Sequence, residues 1–243
     1  MKEITSVNNE YIKYLIKLRD KKNRCIENKY LIEGFHLVEE AYQANVLQEI
    51  LIVNEIDNYN NISKIKVSEN IIKKLSTTMN PQNIIGVCKI KENQTILGTK
   101  ILLLDNINDP GNLGTLIRSS LGFEIDTIVL GLDCVDHYND KVLRASQGAI
   151  FKINIVSRDL KEAILELKEK NITIIGTSLE SSKFLQTIEK PNDYAIILGN
   201  EAKGIKQELL EMTDMNVKIE INESLESLNV SVAGSIIMYF LNN

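Results

Sequence analysis

The sequence predicts an α/β protein in two parts: a small mixed α/β segment and then a larger domain built on a parallel sheet. From Lys100 onward, four runs are apolar on both faces, as strands of a helix-covered parallel sheet must be. Helical stretches follow several of these runs, giving the strand–helix alternation of an α/β layer. The first hundred residues instead mix short helical and strand patterns. The polar, aperiodic Lys91-Glu-Asn-Gln-Thr95 separates the two parts, dividing the chain into domains 1–95 and 96–243.

Residues 11–18 place apolar side chains at helical spacing with lysines between them. Residues 30–34 read as a short strand ending on Gly34, and 37–42 as a helix. Residues 49–53 and 84–90 are further strands, with a helix over 68–76 between them. In the second part the buried strands are 101–105, 127–131, 172–176 and 194–199, and the helices are 113–121, 160–169 and 206–212. The closing stretch, 230–241, is almost wholly apolar, which predicts a buried helix.

With 44% apolar and 25% charged residues over 243 positions, the composition is that of an ordinary globular protein. No apolar run approaches the roughly 18 residues a bilayer span needs, so no membrane partner is expected. The start, Met1-Lys-Glu-Ile-Thr-Ser, lacks the charged-then-apolar order of a secretory signal. Cys25, Cys88 and Cys134 show no paired spacing, which points to reduced thiols in a cytoplasm. Two histidines and no Cys-x-x-Cys argue against a zinc site, and no metal is expected. The net charge of −5 counts against a nucleic-acid partner. The charge is uneven, however. Residues 1–30 carry Lys2, Lys13, Lys17, Arg19, Lys21, Lys22, Arg24 and Lys29 against Glu3, Glu10, Asp20 and Glu27. That patch reads either as a solvated helix face or as a local grip on RNA.

Three motifs in the second part place small or polar residues at the ends of buried elements, where α/β sheets hold ligands. Asn112-Leu-Gly-Thr-Leu-Ile-Arg118 follows the turn-forming Asp109-Pro110-Gly111, with Asn112 where a helix N-cap would sit and Arg118 further along the helix. A cap with a surface arginine and an anion-holding loop are equally good readings of that segment. Leu198-Gly-Asn-Glu-Ala-Lys-Gly204 nearly imitates a P-loop, but Gly204-Ile205-Lys206 stands where Gly-Lys-Ser/Thr is needed. No Gly-x-Gly-x-x-Gly follows any strand either. Glu201 reads as a hydrogen-bond acceptor or as a solvated carboxylate. Ser227-Leu-Asn-Val230 opens the apolar helix, and both Ser227 and Asn229 suit capping. The occurrence of all three in one chain argues for one composite site.

On these three motifs the chain resembles the SpoU family of RNA ribose 2′-O-methyltransferases, within the class of methyltransferases with a deep trefoil knot. Arg144-Ala-Ser-Gln-Gly-Ala-Ile-Phe151 is similar to the family's middle stretch. The lysine-rich start followed by Leu31-Ile-Glu-Gly34 looks like the ribosomal-protein-like substrate domain of many members. The resemblance implies a knotted parallel-sheet domain that binds S-adenosylmethionine, acting as a homodimer on RNA, ribosomal RNA above all. It assigns substrate and catalytic positions to Asn112, Arg118, Glu201, Ser227 and Asn229. It places the cofactor against Thr177, Ser178, Leu179, Leu198, Gly199, Asn200, Ile219, Ile221 and Leu228. Arginine keeps its proton in proteins, so the implied role of Arg118 is to orient phosphate and hydroxyl rather than to act as a base.

The chain departs from the family in the third motif. Where Ile-Pro-Met-x-Gly is usual it reads Ile219-Glu-Ile-Asn-Glu223, and Ala202 stands where glycine is more common. Losing the proline and glycine removes a rigid turn and a residue that takes positive φ easily. Glu220 and Glu223 therefore leave a second expectation beside the enzyme: an RNA-binding protein of the same fold, non-catalytic through its altered cofactor loop.

Overall fold

The computed structural model describes residues 2–91, 95–178 and 182–243, so Leu179 lies outside the described residues. The contacts divide the chain into two compact units. One comprises Met1–Lys91 with Asp136–Phe151, the other Glu92–Val135 with Lys152–Asn243.

In the first unit, β1 (Lys2–Ile4), β2 (Lys29–Glu33), β3 (Leu47–Ile52), β4 (Ser63–Val67) and β5 (Ile84–Lys89) form a mixed sheet in the order β1-β4-β3-β5-β2. Helices α1 (Glu10–Lys17), α2 (Lys21–Glu27), α3 (Phe35–Gln43) and α4 (Glu69–Leu75) belong to the same unit, as does α6 (Asp140–Ser146) from the later segment. Ile12 and Leu15 of α1 pack with Ile71, Ile72 and Leu75 of α4 over Ile65, Ile85 and Val87 of the sheet. Helix spacing in α1 and α4 places these apolar residues on one stripe, which is why the 11–18 and 68–76 patterns were legible.

Two of the basic residues in the first thirty have structural duties. Arg24 is 6% exposed; its Nη1 donates to Leu18 O at 2.9 Å and Arg19 O at 2.6 Å. Its Nε donates to Asp136 Oδ2 at 3.1 Å, and Nη2 pairs with the same oxygen. Arg19 Nη2 donates to the carbonyls of Lys74 and Ser76. The freely exposed part of the basic patch is thus narrower than the sequence suggests.

The second unit holds β6 (Lys100–Leu104), β7 (Thr127–Leu130), β8 (Asn154–Ser157), β9 (Thr173–Thr177), β10 (Lys183–Phe184), β11 (Tyr194–Leu198) and β12 (Met215–Lys218). They lie in the order β10-β12-β9-β11-β6-β7-β8, with every pairing parallel. Helices α5 (Pro110–Gly122), α7 (Leu160–Glu169), α8 (Gln207–Leu210) and α9 (Val230–Asn242) complete the unit. The chain runs outward from β6 through β7 and β8, then returns to lay β11 on the other side of β6. Such a reversal of strand order opens a crevice at the carboxyl ends of the strands. Register brings those ends together, since Leu104 is opposite Leu198 and Thr177 opposite Val217. The core joins Leu103, Ile164, Ile174 and Ile197, all fully buried.

Helices α5 and α9 pack against each other, and Gly234 makes this possible. A Cβ there would come within 2.5 Å of Leu198 Cδ1 and 2.7 Å of Leu116 Cδ2. Among the described residues no helix is long and apolar enough to cross a membrane. The predicted helix over 206–212 shortens to α8, and strands β1, β4, β8, β10 and β12 were not anticipated.

The Arg24–Asp136 pair yields a stability prediction. Removing one partner of a buried ion pair strands the other charge, so Asp136→Ala is expected to cost about 3 kcal/mol of unfolding free energy. The joint replacement Arg24→Met with Asp136→Leu should cost less. Urea denaturation followed by circular dichroism checks both; equal losses would show that the stranded charge is not the cause.

Candidate active site at the strand ends

The first loop leaves β6 at Asp105, which is 2% exposed. Its N–H donates to Leu198 O at 2.9 Å, and its Oδ2 accepts from Lys206 N at 2.9 Å. The Lys206 ammonium lies 3.5 Å from Asp105 Oδ1 and 2.9 Å from Asp133 Oδ2. The hydrogen bond that Lys206 donates to Asp133 raises the Lys206 pKa against partial desolvation, with the Asp105 charge adding to it. Lysine thus ties the second loop to the ends of β6 and β7.

Helix α5 starts three residues earlier than the sequence suggested. Asp109, not Asn112, is its N-cap: Asp109 Oδ1 accepts from Asn112 N at 2.8 Å, with Pro110 in the first turn. Proline belongs there because its missing N–H and fixed φ suit the first helical position. Asn112 is therefore inside the first turn, and its side chain is not needed as a cap.

The second loop folds straight back on β11. A Cβ on Gly199 would lie 2.2 Å from Gly204 C, so only glycine allows this approach. Asn200 closes the turn: its N–H donates to Gly204 O at 3.0 Å and its C=O accepts from Gly204 N at 2.8 Å. Its side chain donates to Asn106 O and accepts from the N–H groups of Ala202 and Lys203. Glu201 is left on the outside of this turn, exposed.

The third loop runs from the end of β12 to α9. Asn229, rather than Ser227, caps α9, accepting from Ser231 N at 2.9 Å and Val232 N at 3.4 Å. In place of a proline turn, Asn222 shapes the loop. Its Oδ1 accepts from Ser224 N at 2.9 Å and its carbonyl from Leu225 N at 3.0 Å, an asparagine-led turn. Glu220 Oε2 accepts from Gln186 Nε2 at 2.6 Å.

These loops meet in one hydrogen-bonded chain. Asn112 Nδ2 donates to Glu201 Oε1 at 2.8 Å, and Asn229 Nδ2 donates to Asn112 Oδ1 at 3.0 Å. Asn229 Oδ1 faces the helix start and also accepts from Ser231 Oγ at 2.6 Å. Both ends of the Asn112 amide are thereby fixed, and the Glu201 carboxylate lies where a helix N-terminus favours negative charge. Arg118 and Ser227 stand outside this chain. Both are exposed, and among the described residues neither side chain has a hydrogen-bond partner within the protein.

Beside the network lies a cavity of about 520 Å³, within the range of small-molecule sites. Of the positions assigned to a cofactor, Thr177, Ser178, Leu198, Gly199, Asn200, Ile219, Ile221 and Leu228 line it, and so do Glu201 and Ser227. Glu220 and Glu223 are not among its lining residues, whereas Glu226 is. Sequence reasoning missed Lys203, Lys218 and Glu226, which bring charge to the wall, and Val230, Ala233 and Ile237. The last three recur at helical spacing and form the inward face of α9; that periodicity was the available signal. Apolar walls with a few fixed polar groups suit an adenosine-sized ligand with a charged tail, so the residues present fit S-adenosylmethionine.

Comparison with known proteins agrees with this geometry. The SpoU rRNA Methylase family profile matches residues 99–239, and the MRM3-like substrate binding domain profile matches residues 9–86. The chain is 39% identical, over 99% of both sequences, to the 23S rRNA (guanosine(2553)-2′-O)-methyltransferase RlmP of Bacillus subtilis. Its fold is similar to the AdoMet-bound rRNA methyltransferase of Sinorhizobium meliloti, with a TM-score of 0.90 at 24% identity over 99% of this chain and 97% of that one. It is also similar to a solved RNA 2′-O ribose methyltransferase, with a TM-score of 0.85 at 27% identity over 98% and 97%. On the near full-length identity and a profile covering more than half its residues, the chain belongs to the SpoU rRNA methylase family.

Proposed function

We propose that this protein transfers a methyl group from S-adenosylmethionine to a ribose 2′-hydroxyl of ribosomal RNA, with a guanosine of the large subunit as the target class. The observation that carries this is the chain Glu201–Asn112–Asn229, which sets a carboxylate of fixed orientation on the wall of an adenosine-sized cavity. The similarity to the RlmP enzyme over its whole length supports the substrate class. Glu220 and Glu223, the ground for a non-catalytic reading, are not among the residues lining the cavity, which supports the catalytic reading.

When bound, S-adenosylmethionine supplies an electrophilic methyl carbon on a sulfonium. Leu198, Ile219, Ile221 and Leu228 would hold its apolar part and Thr177, Ser178 and Gly199 its polar edges. Methyl transfer to oxygen is an in-line displacement, for which fixed geometry is the main source of rate. Asn112 holds Glu201 by Oε1, and the other carboxylate oxygen is placed to accept from the incoming nucleotide. Arg118 presents its planar fork to the RNA phosphate and orients the hydroxyl. Ser227, at the exposed end of the cavity wall, is assigned to the substrate.

The active species is proposed to be a homodimer. Val232, Ile236 and Tyr239 recur along α9 as exposed apolar side chains, and Leu121 is exposed on the neighbouring α5. A self-complementary stripe of this kind is what a two-fold interface requires. The strand order β12-β9-β11-β6, with β11 inserted between β9 and β6, supports the reading of a C-terminal segment threaded as a trefoil knot. Free thiols at Cys25, Cys88 and Cys134 support a cytoplasmic location, where ribosomal RNA is met.

Three outcomes test the reading. Arg118→Lys is expected to lower turnover about 100-fold, nearly as much as Arg118→Ala, because an ammonium cannot replace a bidentate donor; near wild-type methyl incorporation in the lysine variant would refute that role. Asn112→Ala should lower turnover about tenfold or more while S-adenosylmethionine affinity, measured by calorimetry, stays within about threefold, since Asn112 is not a cavity-lining residue. Ile236→Lys should convert the protein to a monomer in sedimentation analysis.

A further inference from the structure

One wall of the cofactor cavity has no proline to stiffen it. Residues 219–223 read Ile-Glu-Ile-Asn-Glu, and the chain's prolines are Pro81, Pro110 and Pro191. No ring therefore fixes φ along this stretch, yet Ile219 and Ile221 line the cavity. The Asn222 turn shapes the chain after Ile221. The part before it is held through side chains.

Strands β10 and β12 run parallel, with Lys183 opposite Val217 and Phe184 opposite Lys218. Val217, Ile219 and Ile221 line the cavity at every second position, the spacing at which an extended chain shows one face. The residues between them reach the segment that contains and follows β10. Lys218 borders the cavity too, yet its ammonium lies 4.9 Å from the centroid of the Phe184 ring. Glu220 Oε2 accepts from Gln186 Nε2 at 2.6 Å. Gln186 is presented from a short 3-10 turn, Leu185–Thr187, that is itself anchored. Leu185 is buried, and Thr187 Oγ1 donates to Phe184 O at 2.8 Å. Just beyond the turn, the Lys190 ammonium lies 4.3 Å from the Phe240 ring of α9. Gln186 and Glu220 are both exposed. Their bond therefore adds little to the stability of the fold, and its effect falls on the loop.

We infer that Gln186 and Glu220 are positioning residues for S-adenosylmethionine: their bond holds Ile219 and Ile221 at the cavity wall, as a proline ring in the loop would. The inference rests on the reading of this cavity as the cofactor site. A loop held in advance lowers the ordering cost that binding must meet. Calorimetry of the full-length protein with S-adenosylmethionine tests it, with thermal unfolding followed in parallel. Gln186→Ala and Glu220→Ala should each weaken binding about threefold, and the double alanine variant no further, since the two act as one unit. Gln186→Glu, which sets carboxylate against carboxylate, should weaken it about tenfold. Combining Gln186→Glu with Glu220→Gln should return affinity to within about twofold of the parent, because amide and carboxylate exchange places and the bond is kept. Turnover at saturating S-adenosylmethionine should stay within about twofold throughout, the loss appearing in KM. Parental affinity in Gln186→Ala and Gln186→Glu would overturn the inference and leave the methyltransferase reading intact. So would an exchanged pair as weak as Gln186→Glu alone, or an unfolding midpoint that falls in step with affinity. A parent protein that binds no S-adenosylmethionine would overturn the cavity reading itself.

Discussion

The second unit depends on one amide, that of Asn112. Its nitrogen is committed to Glu201 and its oxygen to Asn229, so three segments about 85 and 30 residues apart take their mutual orientation from it. Each partner is itself constrained. Glu201 leaves a turn that only glycine at 199 allows, and Asn229 is locked by the first N–H groups of α9. A buried or half-buried amide with both ends bonded has one orientation, because flipping it would set donor against donor at Asn229 and acceptor against acceptor at Glu201. Among the described residues no ion pair is formed by the Glu201 carboxylate that results. This is the state a group needs if it is to accept from an incoming hydroxyl or amide.

Packing beneath the site explains why the loops can meet at all. The parallel sheet brings Leu104 and Leu198 level, and Asp105 N–H extends that ladder by one bond to Leu198 O. Gly234 lets α9 settle against Leu198 and Leu116, while Ser235 Oγ meets Ser119 Oγ at 2.8 Å on α5. The two helices whose N-termini carry Asn112 and Asn229 are therefore fixed to one another along their lengths, not only at their starts. Preorganisation of this kind is the form of catalysis a displacement at carbon can use, since the protein supplies alignment and the reacting atoms supply the rest.

Much of this was legible in the sequence, and the exceptions have physical reasons. Ile101-Leu-Leu-Leu and Tyr194-Ala-Ile-Ile-Leu are buried on both faces and could hardly be anything but central strands. Strand β12, Met-Asn-Val-Lys, and β4, Ser-Lys-Ile-Lys-Val, lie towards a sheet edge or carry polar residues on one face, so they lack that signature. The N-cap of α5 was misplaced because Asp109 and Asn112 both suit the position; the proline after Asp109 decides it. The polar positions of the three motifs were identified, yet the bonds between them were not, because hydrogen bonds spanning 89 and 117 residues leave no local pattern. The same holds for Arg24 and Asp136, 112 residues apart, which turned an apparent RNA-binding arginine into a buried structural one.

That reassignment bears on how an acidic protein holds RNA. The net charge is −5, and of the eight basic residues in the first thirty, Arg19 and Arg24 are bonded to backbone carbonyls. Lys13 is paired with Glu10 at 2.7 Å. Lys2, Lys17, Lys21 and Lys22 remain as exposed cations of that stretch, with Lys29 half-buried. Fewer phosphate contacts are available in that stretch than its eight basic residues suggest, which reduces the share of counterion release it can contribute. Recognition then draws also on oriented amides and the fixed carboxylate at the strand ends. In a protein of this charge, the burden of choosing one ribose among thousands falls on shape and hydrogen bonding rather than on electrostatic attraction.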